Sequence, residues 1–178
     1  MNTKIQKWQE ISREMAFQKY SRKIEKVIYK LPDDKETDFY IKKEGPAACV
    51  LAITKDNKVI LVKQFRPGPN EILSELPGGF VDPNEEPEKT MQRELMEETG
   101  YKGDVKFVTT CFDDAYSTMT RYCFVATDCE KVGEPQTGDH EFVELDLVPV
   151  EEFRTLLRSG KMTDVEVGYL GLDCLNLL

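Results

Sequence analysis

Histidine is almost missing from this 178-residue chain, with His140 the single example. The five cysteines (Cys49, Cys111, Cys123, Cys129 and Cys174) form no Cys-x-x-Cys pair, so zinc-ligand spacing is absent. Their odd number, with no secretory leader, points to reduced thiols, and three of them lie in apolar, strand-like runs where a small core residue is the ordinary reading. Long apolar runs are missing as well. None approaches the roughly 20 residues of a membrane helix, and Met1 to Lys23 mixes Lys, Glu, Gln and Arg where a signal peptide would be apolar. These absences predict a cytoplasmic protein with no membrane partner. No repeat or low-complexity tract interrupts the chain. Positive charge is in deficit, with 24 Lys and Arg against 33 Asp and Glu and a net charge of -9. That balance excludes nucleic acid as a partner, because phosphate backbones require basic stripes. It leaves a small phosphorylated ligand open, since a divalent metal held by carboxylates reverses the local sign of an acidic site.

What is present suits one folded domain: 40% hydrophobic and 32% charged residues over a length that leaves little room for a second. Ser21 to Ile41 reads as two strands around the turn Leu31-Pro32-Asp33-Asp34-Lys35. Ala47 to Thr54 and Lys58 to Phe65 read as a hairpin, broken after Phe65 by Arg66-Pro67-Gly68-Pro69. A short strand, Glu71 to Leu76, ends in Pro77-Gly78-Gly79. A helix is expected from Pro87, a favoured first helical residue, to Thr99, with Gly100 as its left-handed stop. Strands are expected near Val105 to Phe112, Thr120 to Thr127 and Phe142 to Leu147, with a polar loop over Asp128 to His140. A second helix opens at Pro149 and closes at Gly160, and a third is capped by Thr163 or Asp164 and runs to the C-terminus. Many strands with few, late helices predict a mixed sheet with helices on its faces.

The helix from Pro87 breaks local rules. Glu94, Glu97 and Glu98 stand at i, i+3 and i+4, so their carboxylates share a face, and each like-charge pair costs roughly 0.2–0.5 kcal/mol. They also crowd the negative end of the helix macrodipole, a further penalty of roughly 0.3–1 kcal/mol each. A solvated acidic face is the plain alternative, but two independent penalties at one helix end mark a place where function overrides local preference. A hard divalent cation removes both, and carboxylates with a nearby backbone carbonyl are the ligands that Mg²⁺ or Mn²⁺ prefers. Pro77-Gly78-Gly79 can bring bare backbone, and with it that carbonyl, beside the helix. Arg93 lies four residues before Glu97, so an i,i+4 ion pair is available.

Gly79, Glu85 after five residues, Arg93-Glu94-Leu95 after seven more, then Met96, Glu97-Glu98, Thr99 and Gly100-Tyr101 together resemble the Nudix box. Every fixed position of the 23-residue span is filled; Tyr101 stands where the family usually has an aliphatic residue. The resemblance implies a Nudix α/β/α sandwich around a mixed sheet and a magnesium-dependent pyrophosphohydrolase, with Mn²⁺ as a substitute. It makes Glu94 and Glu98 metal ligands, Glu97 a ligand or bridging carboxylate, and the Gly78 carbonyl the completing oxygen. Arg93 orients the glutamates and Glu85 supports them. A general base outside the box would come from Asp139, Glu141 or Glu144, of which Glu141, at a loop–strand junction, is preferred.

Beyond the box, Gln64-Phe65-Arg66, Glu75-Leu76-Pro77-Gly78-Gly79 and the N-terminal paired strands are similar to the ADP-ribose and nucleoside diphosphate sugar pyrophosphatase branch. That likeness implies a nucleotide-linked small-molecule substrate, split into a nucleoside monophosphate and a sugar phosphate, with Arg66, Glu75 and Tyr116 as substrate-side residues. It also implies a homodimer built on an N-terminal helix/strand segment, residues 1–44, with the hydrolase domain over 45–178. Arg66 either meets a ligand phosphate or partner subunit or simply ends a strand. The stretch Asp114-Ala115-Tyr116-Ser117 lacks the proline this branch often carries, and a tyrosine there is similar to dinucleoside polyphosphate hydrolases; Tyr116 either stacks on a base or is a half-buried loop aromatic. Hydrolysis of a dinucleoside polyphosphate or a nucleoside triphosphate therefore stays open, as does a module that senses a nucleotide without cutting it.

Overall fold

The structure is a computed structural model that describes residues 5–136 and 142–178. It contains ten strands and three helices among these residues, in two compact units. One unit comprises Met1–Gly45 with Phe112–Thr120, and the other Pro46–Cys111 with Arg121–Leu178.

The first unit is a three-stranded antiparallel sheet, β1 (Gln9–Lys19), β2 (Arg22–Lys30) and β3 (Glu36–Lys42), in the order β1-β2-β3. β2 and β3 fall where the sequence placed a pair of strands. β1 was not foreseen, and no helix occurs among the described residues of this unit. It pairs with β2, where the register shifts twice, between Glu10 and Ser12 and again between Met15 and Phe17. Ile11, Met15 and Phe17 fall on alternate positions, but Arg13 interrupts them and every residue of β1 is exposed, so no buried face marks the strand. The same unit holds Tyr116, whose ring stacks on Phe39 at 6.3 Å, while Phe39 also meets Trp8 and Tyr29.

The second unit is a seven-stranded mixed sheet between helices. Its main path runs β10 (Val143–Pro149), β5 (Lys58–Arg66), β4 (Ala47–Thr54), β9 (Thr120–Lys131) and β8 (Tyr101–Phe112). β4 and β9 are parallel; β10–β5 and β4–β5 are antiparallel. Alternation along β4 divides the core. Ala48, Val50 and Ala52 join Met91 and Leu95 of α1 (Pro87–Thr99) on one face. Cys49, Leu51 and Ile53 join Phe153 and Leu157 of α2 (Val150–Leu157) and Val167 and Leu172 of α3 (Val165–Cys174) on the other. This is the expected α/β/α sandwich. Phe124, Phe153, Leu51, Ile60 and Leu61 are fully buried, and each such side chain contributes roughly 1.5–3 kcal/mol of apolar transfer.

The hairpin of β4 and β5 is less complete than its apolar runs suggest. The two strands pair at Ile53 and Val59, close to their turn. Farther along, β6 (Glu71–Glu75) pairs with β5 over Val62 to Arg66, and β7 (Gly78–Phe80) pairs with β4 over Ala47 to Cys49. The β6–β7 segment thus sets Glu75 on the β5 side and Gly78-Gly79 on the β4 side. β7 was unforeseen because three residues, two of them glycine, carry no strand signal.

α1 begins and ends where proline and glycine predicted. Gly100 is left-handed, with φ 75° and ψ 11°, and its N–H donates to the Met96 carbonyl at 2.9 Å. A β-carbon there would lie 2.2 Å from the Gly133 carbonyl oxygen. Gly100→Ala is expected to destabilise the chain by about 1–3 kcal/mol, the cost of a left-handed non-glycine residue. Urea denaturation checks this: the midpoint should fall with an unchanged slope.

Candidate active site

The acidic end of α1 is organised by one cation. Arg93 donates from Nε and Nη2 to the two oxygens of Glu85, at 3.2 and 3.1 Å. Its Nη1 donates to Glu94 at 2.8 Å and to Glu97 at 3.1 Å, the second being the i,i+4 pair available from the sequence. Thr90 adds a hydrogen bond to Glu85 at 2.7 Å. The Arg93 and Thr90 bonds hold the Glu85 carboxyl below its ordinary range, and Glu85, followed by Glu94 and Glu97, holds the Arg93 guanidinium firmly charged. One side chain therefore offsets much of the repulsion at the helix end.

The Gly-Gly turn meets the same helix. The Gly78 N–H donates to Glu98 Oε2 at 2.9 Å. A β-carbon on Gly79 would lie 2.4 Å from Glu94 Oε1, so this approach requires glycine. The turn is fixed from behind by the Val50 N–H, which donates to the Pro77 carbonyl at 3.0 Å. Glu94, Glu97 and Glu98 thus bring hard oxygen donors to one helix end, with the Gly78 backbone alongside. Among the described residues, no three acidic, histidine or cysteine side chains converge as an ion-enclosing group; two of the glutamates turn to Arg93 instead. The donor chemistry and the glycine-only space beside Glu94 nevertheless fit a hard divalent cation.

Arg66 and Glu75 form a second focus. Arg66 Nε donates to Glu75 at 2.7 Å, its Nη2 binds the other carboxylate oxygen, and Gln64 Nε2 donates to Glu75 at 2.9 Å. Glu75 is buried, while the Arg66 side chain remains 47% exposed. Glu75 therefore engages Arg66 from within and leaves part of the guanidinium facing solvent. Its hydrogen bonds raise the Arg66 pKa further above the ordinary value.

Two polar residues here escaped the sequence reading. Thr90, a buried helix residue, gives no motif signal for its bond to Glu85. Asp164 does take the N-cap position of α3, yet with φ 54° and without a capping bond. Its carboxylate accepts from Thr163 Oγ1 at 2.8 Å and pairs with Arg121 at 2.9 Å, and burial pushes its pKa up. Chain distance hides that pair. Tyr116 belongs to the other unit and stacks on Phe39. Glu144 lies on β10, while Glu141 and Asp139 fall outside the described residues.

No helix among the described residues is long and apolar enough to cross a membrane. Known proteins resemble this chain in sequence and in fold. An ADP-ribose pyrophosphatase of Bacillus subtilis (strain 168) is 34% identical over 142 residues, spanning 78% of this chain and 77% of the relative. An ADP-sugar pyrophosphatase of Mus musculus is 41% identical over 106 residues, spanning 56% of this chain and 49% of its own length. A solved structure described as an ADP compounds hydrolase superposes with a TM-score of 0.83 at 20% identity, covering 99% of this chain and 100% of its own, a likeness of fold. The model of the NUDIX domain matches residues 43–166, enclosing the Arg93-centred glutamates and the Gly78-Gly79 turn, and the chain accordingly belongs to the Nudix family of hydrolases, which act on phosphoric anhydrides, with its similarity directed to the ADP-ribose and ADP-sugar pyrophosphatases of that family.

Proposed function

We propose that this protein hydrolyses the pyrophosphate of ADP-ribose or a related nucleoside diphosphate sugar, giving a nucleoside monophosphate and a sugar phosphate, with Mg²⁺ as its cofactor and Mn²⁺ as a substitute. The observation that carries the reading is the cluster of Glu85, Glu94 and Glu97 around Arg93, beside a glycine turn whose N–H binds Glu98. The names of the relatives supply the substrate class.

In this reading Glu94, Glu97, Glu98 and the Gly78 carbonyl hold the metal. The bound ion supplies charge neutralisation on phosphate oxygens and a water of lowered pKa. Arg93 keeps the carboxylates apart and oriented, and Glu85 fixes Arg93 from the other side. Arg66, aimed by Glu75, binds a substrate phosphate. Tyr116 stacks on the base. Glu141 takes the proton of the attacking water, a role that requires hydrogen-bond reach to it. Glu98→Gln removes one anionic ligand while keeping the acceptor for the Gly78 N–H. Turnover should fall by about a hundredfold or more, as for loss of a group that acts in the transition state, while nucleotide binding followed by calorimetry persists. Wild-type turnover in that variant would refute the ligand assignment.

Substrate choice is tested by a Mg²⁺-supported panel of ADP-ribose, GDP-mannose, UDP-glucose, a dinucleoside polyphosphate and nucleoside triphosphates, with products identified by mass. Monophosphate products from ADP-ribose or another nucleotide sugar should dominate. Activity confined to polyphosphates or triphosphates would replace the reading, and nucleotide binding without any turnover would make the protein a sensor.

We also propose that residues 1–44 serve dimerisation of the hydrolase domain over 45–178. The three-stranded sheet exposes Ile11, Met15, Phe17 and Tyr40, and unpartnered apolar side chains of this kind suit a protein–protein contact. Sedimentation equilibrium should give twice the chain mass at micromolar concentration, and Ile11→Glu with Phe17→Glu should shift it to the monomer. A wild-type monomer would reject this arrangement.

A further inference from the structure

The thiols are unevenly placed. Cys49, Cys111, Cys123 and Cys174 all border the core beneath α2 and α3, whereas Cys129 lies on the α1 side. Cys49 and Cys123 are register partners on β4 and β9, and Cys111 lies on β8, the next strand. The sulfurs of Cys111 and Cys123 are 3.6 Å apart, in van der Waals contact. A disulfide is about 2.0 Å long and spans Cα separations of about 4.4–6.8 Å; neighbouring strands lie about 4.8 Å apart. Side-chain rotation with little backbone movement is therefore enough to close the bond. Cys123 is buried and Cys111 half-buried, so a dissolved oxidant meets Cys111 first.

We propose that Cys111 and Cys123 form a peroxide-sensitive thiol pair that closes into a cross-strand disulfide. In the first step Cys111 Sγ attacks a peroxide oxygen: an S–O bond forms, the O–O bond breaks, and the departing oxygen leaves as water or alcohol. The product is a sulfenic acid. In the second step Cys123 Sγ attacks Cys111 Sγ. The S–S bond forms, the S–O bond breaks, and the hydroxide leaves as water with the proton of Cys123. Two electrons pass from the two sulfurs to one peroxide.

Burial, with the neighbouring Cys111, pushes the Cys123 thiol up to about 12. Glu166 of α3 pushes the same way and Arg121 of β9 opposes it, while Cys49 is its β4 neighbour. The attacking thiolate is thus scarce at neutral pH, and the closing step should quicken as the pH rises. The pair brackets residues 112–122, the connection that carries Tyr116, so closure ties its two ends together.

The test treats the intact chain with hydrogen peroxide near neutral pH and about one unit higher, followed by denaturation, alkylation and mass spectrometry. The expected product has lost two hydrogens, regains them with dithiothreitol, and yields a peptide joining Cys111 to Cys123, faster at the higher pH. Cys111→Ser should remove the cross-link. Cys123→Ser should remove it and leave a sulfenic acid at Cys111 that dimedone captures. Five alkylatable thiols after peroxide, a Cys49–Cys123 linkage, or cross-links between chains alone would overturn the assignment. Because the peptide map is made on the wild-type chain, it decides the matter even where a variant fails to fold.

Discussion

A single guanidinium, Arg93, is shared by Glu85 in the loop before α1 and by Glu94 and Glu97 on the helix, and the geometry of the candidate site depends on it. Without Arg93, Glu94, Glu97 and Glu98 would repel one another at the negative end of the α1 dipole. With it, Glu85 is tied from the loop before the helix, and Glu94 and Glu97 from the last turns. The loop, the helix and the charge balance are thereby joined through one side chain. The arrangement keeps net negative charge, since one arginine does not neutralise four glutamates. It leaves the helix end suited to a cation.

The sheet provides the second constraint. Because β4 and β5 pair beside their turn and then take β7 and β6 as partners, two glycines come to one side and Glu75 to the other. Buried Glu75 gives Arg66 a fixed direction through two parallel hydrogen bonds. Both charged foci follow one logic: a carboxylate with fixed surroundings aims an arginine, or an arginine aims carboxylates, before any ligand arrives. Preorganised charge of this kind needs little rearrangement during reaction.

Much of this was legible in the sequence, in places where local chemistry coincides with structure. Pro87 and Gly100 bound α1 as their backbone preferences require, and the spacing of Arg93 to Glu97 gave a real ion pair. What was hidden depends on other parts of the chain. β1 is exposed along its whole length, and Arg13 interrupts its short apolar alternation. Asp164 has the composition of a helix cap, but pairs with Arg121, 43 positions earlier in the numbering. Glu75 was read as facing substrate, whereas burial places its carboxylate behind Arg66. Thr90 gave no sign at all, because a threonine inside a helix looks the same whether or not its hydroxyl has a partner. Sequence patterns record periodicity and local geometry; they do not record which distant side chain fills the remaining valence.

The parallel pairing of β4 with β9 has a consequence for how the chain matures. These central strands are separated by the whole box helix and by β8, so the middle of the sheet closes only through long-range contacts. Such topologies fold slowly, because loop-closure entropy is lost before the contacts reward it. A growing chain emerges with α1 and its glutamates well before β9 exists to complete the layer beneath them. Until Lys131 has been made, the core beneath α1 lacks Phe124, Ala126 and Cys129, so the motif is synthesised early and its packing is completed late.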